Sequence, residues 1–233
     1  MARIAVLMYH DVCDGSPGER YTVSRARLAH DAAAVRGPGA VECELTFDDG
    51  RLGTFVHGLP VLVEAGLQAT LFVTTSRLGT AGFVTADMLR AWRAAGQRVG
   101  SHAVSHHALS LLRREDARAE LRDSKRHLED LLGEPIDAFA FPGGNLTPGL
   151  IADALAAGYR RVHTSRPGFA SPDDPVVPRF TIRTATDPRA VPALRAGGGR
   201  CFFLGDRLRA SVKDTLGVRW YGVLGRALPA RRR

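Results

Sequence analysis

Short apolar runs alternate with amphipathic segments along most of the chain. The runs rich in β-branched and aromatic residues predict seven strands, over Ile4–Tyr9, Glu42–Phe47, Thr70–Thr74, Gln97–Gly100, Ala138–Phe141, Tyr159–His163 and Phe180–Thr184. The segments between them predict five helices, over Ser24–Val35, Thr54–Glu64, Ala86–Ala95, Leu109–Leu132 and Pro148–Ala156. Strands that alternate with helices indicate βα units around a mainly parallel α/β sheet, and about seven such units favour a closed barrel.

The pattern changes near Pro188, which divides the chain into a main domain over residues 1–187 and an extension over 188–233. Within the extension, Leu204–Leu228 is basic and partly amphipathic, and the chain ends in three arginines. One interpretation is a helix that closes an end of the barrel and is followed by a solvated tail. The alternative is contact with an anionic membrane surface or with a partner protein.

The composition excludes several classes of protein. With 45% hydrophobic and 24% charged residues, the 233-residue chain is typical of a soluble globular domain. The net charge of +8 comes from scattered arginines without interleaved aromatic residues, so we expect no nucleic-acid partner. The cysteines form no CxxC pair, which argues against a disulfide framework or a cysteine zinc site.

The sequence also predicts a location for the chain. The apolar run that follows Met1 is too short for the core of a signal peptide, and no stretch approaches the roughly 18 apolar residues that span a bilayer. We therefore expect a cytoplasmic protein, with membrane association through the basic extension as the alternative.

Reactive side chains follow several of the predicted strands directly. His10 follows the first strand, Asp48 and Asp49 the second, His102 the fourth, and the Pro-Gly-Gly sequence at 142–144 the fifth. The carboxyl ends of parallel strands meet at one face of a βα barrel. The sequence therefore predicts a functional site at this face.

The adjacent carboxylates and the spaced histidines suggest a metal centre. Asp48 and Asp49 repel each other at a desolvated strand end, and a divalent cation that takes one of them as a ligand removes the conflict and leaves the other as a general base. If the segment after the fourth strand is helical, His102 and His106 share a face and converge on one ion. Two imidazoles, one carboxylate and open positions are typical of catalytic zinc, with cobalt, nickel or iron as alternatives. The structural alternatives are an Asp-Asp-Gly turn and a pair of surface or packed histidines.

These motifs resemble those of a known family. Residues 46–50 (Thr-Phe-Asp-Asp-Gly), residues 102–106 (His-Ala-Val-Ser-His) and residues 139–144 (Phe-Ala-Phe-Pro-Gly-Gly) are similar to three motifs of the polysaccharide deacetylases of the NodB-homology type, carbohydrate esterase family four. The resemblance extends over roughly residues 3–184 and implies a distorted (β/α)7-type barrel.

The resemblance also implies a role for each matching residue. Asp48 corresponds to the general base, and Asp49, His102 and His106 correspond to the ligands of one divalent metal of the zinc type. In the third motif, the position whose backbone N–H helps to hold the oxyanion is Gly143.

Two further roles depend on a branch of the family. The usual acid is a histidine near the C-terminus, where this chain has no matching strand, whereas Leu7–Val12 at the start resembles the circularly permuted deacetylases of biofilm poly-N-acetylglucosamine. This implies that His10 is the general acid; a structural histidine at the strand end is the alternative. Ala140 replaces the usual arginine of the third motif, and Arg179 matches an arginine of the permuted branch. We place Arg179 with the oxyanion and substrate groups and hypothesise that it supports Asp48.

The resulting prediction is a metal-dependent de-N-acetylase. Its expected partner is an N-acetylated amino sugar within a glycan, a lipid-linked sugar or a glycosylated metabolite. One alternative is a sugar-binding module of the same fold with weak catalysis. Another is a metal-dependent hydrolase of a different amide, such as a deformylase.

Overall fold

The structure is a computed structural model and describes residues 3–144 and 146–211. Its strands are β1 (Ile4–Tyr9), β2 (Asp11–Cys13), β3 (Thr22–Ser24), β4 (Glu42–Phe47), β5 (Ala69–Val73), β6 (Arg98–Ser101), β7 (Ala138–Ala140), β8 (Arg161–His163), β9 (Val176–Val177) and β10 (Arg179–Thr181). Its helices are α1 (Arg25–Arg36), α2 (Leu59–Glu64), α3 (Ala86–Ala94), α4 (Arg114–Leu132), α5 (Pro148–Ala156) and α6 (Ala190–Arg195).

Eight of the strands form one parallel sheet that is nearly closed. Their order is β10-β1-β4-β5-β6-β7-β8-β9, and β2 and β3 form a separate pair. The two edge strands, β9 and β10, are separated in sequence by Pro178 alone, so the sheet must curve until its edges lie near each other. This architecture confirms the predicted α/β barrel of the NodB-homology type.

The first strand lies in the interior of the sheet. β1 pairs with β10 on one side and with β4 on the other, which places Leu7 beside Phe180 and Leu45. All six residues of β1 are buried, as expected for a parallel strand that is covered on both faces. The residue that follows β1 is therefore held at the same face as those that follow β4 and β10.

The predicted helices differ from the observed ones in two places. The segment Thr54–Glu64 begins as a π-helix over Thr54–Gly58 before α2 starts. The segment Leu109–Leu132 is interrupted, because a 3₁₀ turn over Leu109–Leu111 precedes α4. The helix α4 ends, as predicted, at Leu132, and the next residue, Gly133, has a φ of 69°, in the left-handed region that glycine favours.

The described part of the extension packs on the barrel. Arg195, at the end of α6, donates hydrogen bonds to the carbonyls of Val35 and Gly37 at the end of α1. Phe203 is buried, with its ring centroid 4.9 Å from that of Phe180 in β10. The division at residue 187 stays a prediction.

The predicted helix Leu204–Leu228 lies only partly within the described residues. Positions 204–211 are helical, and residues 212–233 lie outside the described part. No contact among the described residues supports a membrane or partner surface on this segment. None of the helices formed by those residues combines the length and the apolar character needed to cross a membrane.

Candidate active site

A cleft of about 470 Å³ lies where the strands of the sheet end. The residues predicted from the sequence that line it are His10, Asp48, Asp49, His102, His106 and Gly143. They follow β1, β4, β6 and β7 along the chain, so the parallel sheet brings together side chains that are far apart in sequence.

Three of these side chains form a cluster that fits a metal ion. The ligand atoms of Asp49, His102 and His106 all lie within 4.8 Å of one another. Asp49 Oδ1 is 2.9 Å from His106 Nε2 and 3.6 Å from His102 Nε2, yet it is buried without a hydrogen bond of good geometry. Ligand atoms this close to one another could bind one shared ion.

The charge states of this cluster also suit a divalent cation. Burial raises the pKa of Asp49, but His106 and His102 beside it outweigh that effect and hold the pKa well below its usual range. Burial lowers the pKa of His102 to about 4, so its imidazole is neutral at pH 7. His102 Nδ1 donates to the carbonyl of Ala140 at 2.8 Å, which leaves the Nε2 lone pair for a metal.

A loop, and not the predicted helix, brings the two histidines together. Residues 102–108 adopt no helical conformation. Ala103 and His106 each have a φ of 64°, in the left-handed region that non-glycine residues rarely adopt. The expectation of a shared helical face was therefore wrong, although both side chains reach the same cluster.

Glu120 of α4 holds this loop in place. Its Oε2 accepts hydrogen bonds from the backbone N–H groups of Val104 at 2.8 Å and Ser105 at 2.9 Å. Both donors lie between the two histidines in sequence. One carboxylate thus fixes the segment that carries both imidazoles.

Asp48 is paired with a buried arginine. Arg179 donates to Asp48 Oδ1 at 2.7 Å and to Oδ2 at 2.8 Å, and its Nε donates to the carbonyl of Thr164 at 3.0 Å. Burial raises the pKa of Asp48, but the guanidinium of Arg179 outweighs it, so the net pKa is below its ordinary value. Asp48 is therefore a carboxylate that is fixed in orientation.

The position of Arg179 corrects one expectation. Its side chain is completely buried and does not line the cleft. Arg179 therefore lies behind Asp48 and is not in contact with the space for substrate, which removes it from the oxyanion and substrate groups.

His10 borders the cleft on the side of β1. Its ring packs against Tyr21, with centroids 4.6 Å apart, and its buried Nδ1 has no hydrogen-bond partner within the described part of the chain. Burial lowers the pKa of His10, while the carboxylates of Asp48 and Asp49 oppose this shift.

Gly143 occupies a tight turn over Pro142–Gly144. Its φ is 64°, which glycine adopts without strain. At Gly144, a Cβ atom would lie 2.7 Å from the side chain of Ser165. The close approach of these two segments explains the second glycine of the pair.

The structure adds residues that the sequence reasoning missed. Arg20, Tyr21, Arg183, Asp206 and Arg209 also line the cleft. A signal for Arg183 was available, because it lies at the carboxyl end of the last predicted strand, Phe180–Thr184. Tyr21 and Asp206 belong to a loop and to the C-terminal extension, where the pattern gave no indication of a site.

Comparisons with known proteins agree on the class of protein. The sequence profile described as "Polysaccharide deacetylase" matches residues 38–162. YxkH of Bacillus subtilis, assigned by its name to the polysaccharide deacetylases, is 23% identical over 201 residues, which are 79% of this chain and 72% of that protein. A peptidoglycan-N-acetylglucosamine deacetylase of Bacillus cereus is 25% identical over 146 residues, or 60% of this chain and 66% of that protein.

A solved structure supports the fold independently. The Streptococcus pyogenes deacetylase PplD, solved in complex with acetate, superposes with a TM-score of 0.74 at 22% identity and covers 81% of this chain and 96% of its own. Because the family profile spans more than half of the sequence and the barrel agrees with it, the chain belongs to the polysaccharide deacetylase family, hydrolases of the NodB-homology fold.

Proposed function

We propose that this protein is a metal-dependent de-N-acetylase that hydrolyses the N-acetyl amide of an amino sugar. The observation that supports this best is the juxtaposition of two groups in one cleft. Asp49, His102 and His106 form the metal cluster, and Asp48, held by Arg179, lies beside it. Membership of the family supports hydrolysis of N-acetyl groups.

The cluster would supply one carboxylate and two imidazoles to a single ion. This donor set fits zinc, with cobalt, nickel and iron as alternatives. When bound there, a divalent ion supplies a Lewis acid that polarises the amide carbonyl and makes water more acidic.

Asp48 accepts the proton of the attacking water in this proposal. A general base must be deprotonated and must point at the proton it takes. The two hydrogen bonds from Arg179 serve both requirements, because they stabilise the carboxylate and fix its plane.

His10 and Gly143 complete the reaction. Because burial lowers the pKa of His10, its protonated ring gives up a proton readily to the departing amine, and the nearby carboxylates favour the protonated form. The backbone N–H of Gly143 donates to the oxyanion that forms at the amide carbon. The position of His10 after β1, the neighbour of β10, supports our assignment of this chain to the circularly permuted branch.

The amino sugar is the substrate that the relatives favour. The Bacillus cereus relative is named for the N-acetylglucosamine of peptidoglycan. We infer an N-acetylhexosamine within a glycan, a lipid-linked sugar or a glycosylated metabolite.

The test combines metal content with product analysis. Purified protein is assayed for bound metal, and then for acetate released from N-acetylglucosamine oligomers, peptidoglycan and nucleotide- or lipid-linked amino sugars. Asp48→Asn should lower turnover by about 100-fold or more and retain the metal. Asp87→Asn, which removes an exposed carboxylate of α3, serves as the matched control.

Three outcomes would redirect the proposal. Release of formate from formylated analogues, without acetate release, identifies a hydrolase of another amide. Sugar binding without turnover identifies a binding module. Protein that binds no metal when zinc or cobalt is supplied contradicts the metal-dependent reaction.

A further inference from the structure

Arginines from three separate segments line one wall of the cleft. Arg20 lies between β2 and β3, Arg183 follows β10, and Arg209 lies in the helical segment 204–211. We call these three residues the arginine wall. The cleft that contains the proposed metal cluster also contains this wall, so a ligand of sufficient size contacts both.

The arginine wall carries excess positive charge. Apart from Asp48 and Asp49, the acidic residue that lines the described part of the cleft is Asp206. It accepts from Arg183 at 2.7 Å and from Arg209 at 3.4 Å. Three guanidinium groups thus face one carboxylate, and the imbalance attracts anions into a concave site.

Arg183 is the most enclosed member of the wall. Its side chain is 17% exposed, and its buried Nε has no hydrogen-bond partner among the residues that the structure describes. Its hydrogen bond to Asp206 holds the guanidinium at the edge of the cleft. Arg183 therefore presents a positive charge in a fixed position.

Tyr21 connects the arginine wall with the proposed acid. Its ring is 4.6 Å from that of His10, and the guanidinium carbons of Arg20 and Arg183 each lie 5.5 Å from its centre. Tyr21 is 39% exposed. A sugar ring packed against its exposed part would lie near both His10 and the arginines.

We propose that the arginine wall is a subsite for an anionic group, a phosphate or a carboxylate, that the amino-sugar substrate carries. The inference rests on the proposed function, since it assigns the sugar to the same cleft. Guanidinium groups match the paired oxygens of phosphates and carboxylates. The substrate class narrows accordingly to amino sugars with an acidic substituent, in preference to neutral N-acetylglucosamine oligomers.

The first experiment compares matched substrates. The wild-type enzyme is assayed with N-acetylglucosamine 1-phosphate, with N-acetylmuramic acid and with neutral methyl N-acetylglucosaminide. At low salt, kcat/KM for at least one of the anionic sugars should exceed that for the neutral one tenfold or more. Comparison of the two anionic sugars identifies whether the arginine wall binds a phosphate or a carboxylate. Equal values for all three sugars would overturn the subsite.

The second experiment assigns the preference to the arginines. Arg20→Gln and Arg183→Gln should each lower the ratio of anionic to neutral kcat/KM about tenfold. Arg122→Gln, which replaces an exposed arginine of α4, should leave that ratio unchanged. Because phosphate also binds metals, a ratio that the two wall variants do not change would place the anion at the metal and contradict the subsite. Circular dichroism verifies that each variant is folded.

Calorimetric binding of the same three sugars separates the two proposals. Preferential binding of an anionic sugar that the wall variants lose, without turnover, supports the subsite and contradicts the deacetylase. Turnover without a preference for the anionic sugars supports the deacetylase and contradicts the subsite. If neither turnover nor preferential binding is observed, both proposals are overturned.

Discussion

Two neighbouring aspartates have different surroundings, which suit them to different roles. Asp48 and Asp49 are identical in type and adjacent in sequence, but Asp48 faces a buried guanidinium and Asp49 faces two imidazoles. The left-handed φ of 75° at Asp49 helps to direct the two side chains differently. In the proposed reaction, this separation leaves Asp48 as the base and Asp49 as a ligand of the cation.

The paired geometry of Arg179 leads to a prediction. Arg179→Lys keeps the charge but loses the two parallel hydrogen bonds that fix the plane of Asp48. We expect turnover to fall about 10- to 100-fold while the metal content stays the same. Measurements of kcat and of metal stoichiometry by atomic emission test this.

The matched control for this variant is Arg161→Lys. Arg161 donates to both oxygens of Glu44 and does not line the cleft, so its replacement should leave kcat near that of the wild type. Equal losses in the two variants would show a general effect of the substitution and would contradict a specific role for Arg179.

A buried histidine predicts how stability depends on pH. Burial holds the pKa of His163 well below its usual value. As the pH falls, the unfolded chain therefore takes up a proton at His163 before the folded protein does. The contribution of His163 to the unfolding free energy is complete above about pH 6.5 and decreases as the pH falls below that value. His163→Asn should reduce the slope of the unfolding free energy below pH 6.5 by up to about 1.4 kcal/mol per pH unit.

Urea denaturation at a series of pH values measures this slope. His127→Asn, which replaces an exposed histidine of α4, serves as the matched control. A slope that is the same in His163→Asn and in the wild type would mean that His163 is protonated in the folded state.

Single residues were predictable where a local motif contained them. Asp48, Asp49, His102 and His106 lie in two short segments with distinctive spacing, and the structure places all four in one cleft. Glu120 was not predictable in the same way, because its role depends on the packing of α4 against a loop that lies 15 residues or more before it in sequence.

At the scale of elements, the loop between the two histidines depends on a neighbouring helix. The loop contains two left-handed residues, and Glu120 of α4 accepts two of its backbone N–H groups. Glu120→Ala should therefore raise the Kd for zinc about tenfold or more. Competition with a chromophoric chelator measures this affinity without any assay of turnover.

The same helix offers the control. Glu129 accepts from the backbone N–H of Ile136 at 3.0 Å, a comparable bond away from the histidine loop. Glu129→Ala should change stability but not zinc affinity. A zinc Kd in Glu120→Ala equal to that in Glu129→Ala would contradict the positioning role.

The pattern of apolar positions predicted long elements better than short ones. The bounds of β1 and β4 agree with those predicted, because each is a six-residue run with a clear end. The two residues of β9 are too few to form a recognisable pattern. The spacing of His102 and His106 would place both on one face if the segment were helical, whereas the structure has a loop over residues 102–108.

At the scale of the whole molecule, the described part of the extension behaves as part of the barrel. Phe203 is 2% exposed and packs on Phe180, whereas its neighbour Phe202 is 37% exposed. Phe203→Ala should therefore lower the unfolding free energy by about 3 to 5 kcal/mol, and Phe202→Ala by less than about 1 kcal/mol.

Chemical denaturation followed by fluorescence and circular dichroism tests this pair. A single transition that shifts in Phe203→Ala indicates that the segment and the barrel unfold together. A shift confined to a separate, minor transition would instead support the predicted division at residue 187. The sequence could not decide this, because a partly amphipathic segment indicates burial without indicating against what.

The pairing of β10 with β1 has a consequence for biosynthesis. Arg179 lies 131 residues beyond Asp48, a distance that a ribosome covers in on the order of ten seconds. Late in that interval the nascent chain already contains Asp48, Asp49 and all three histidines of the cleft, but it lacks the Arg179 guanidinium that orients Asp48. The site is therefore complete only after the last strand of the sheet has been synthesised. We expect the ability to turn over substrate to appear only once translation has passed β10.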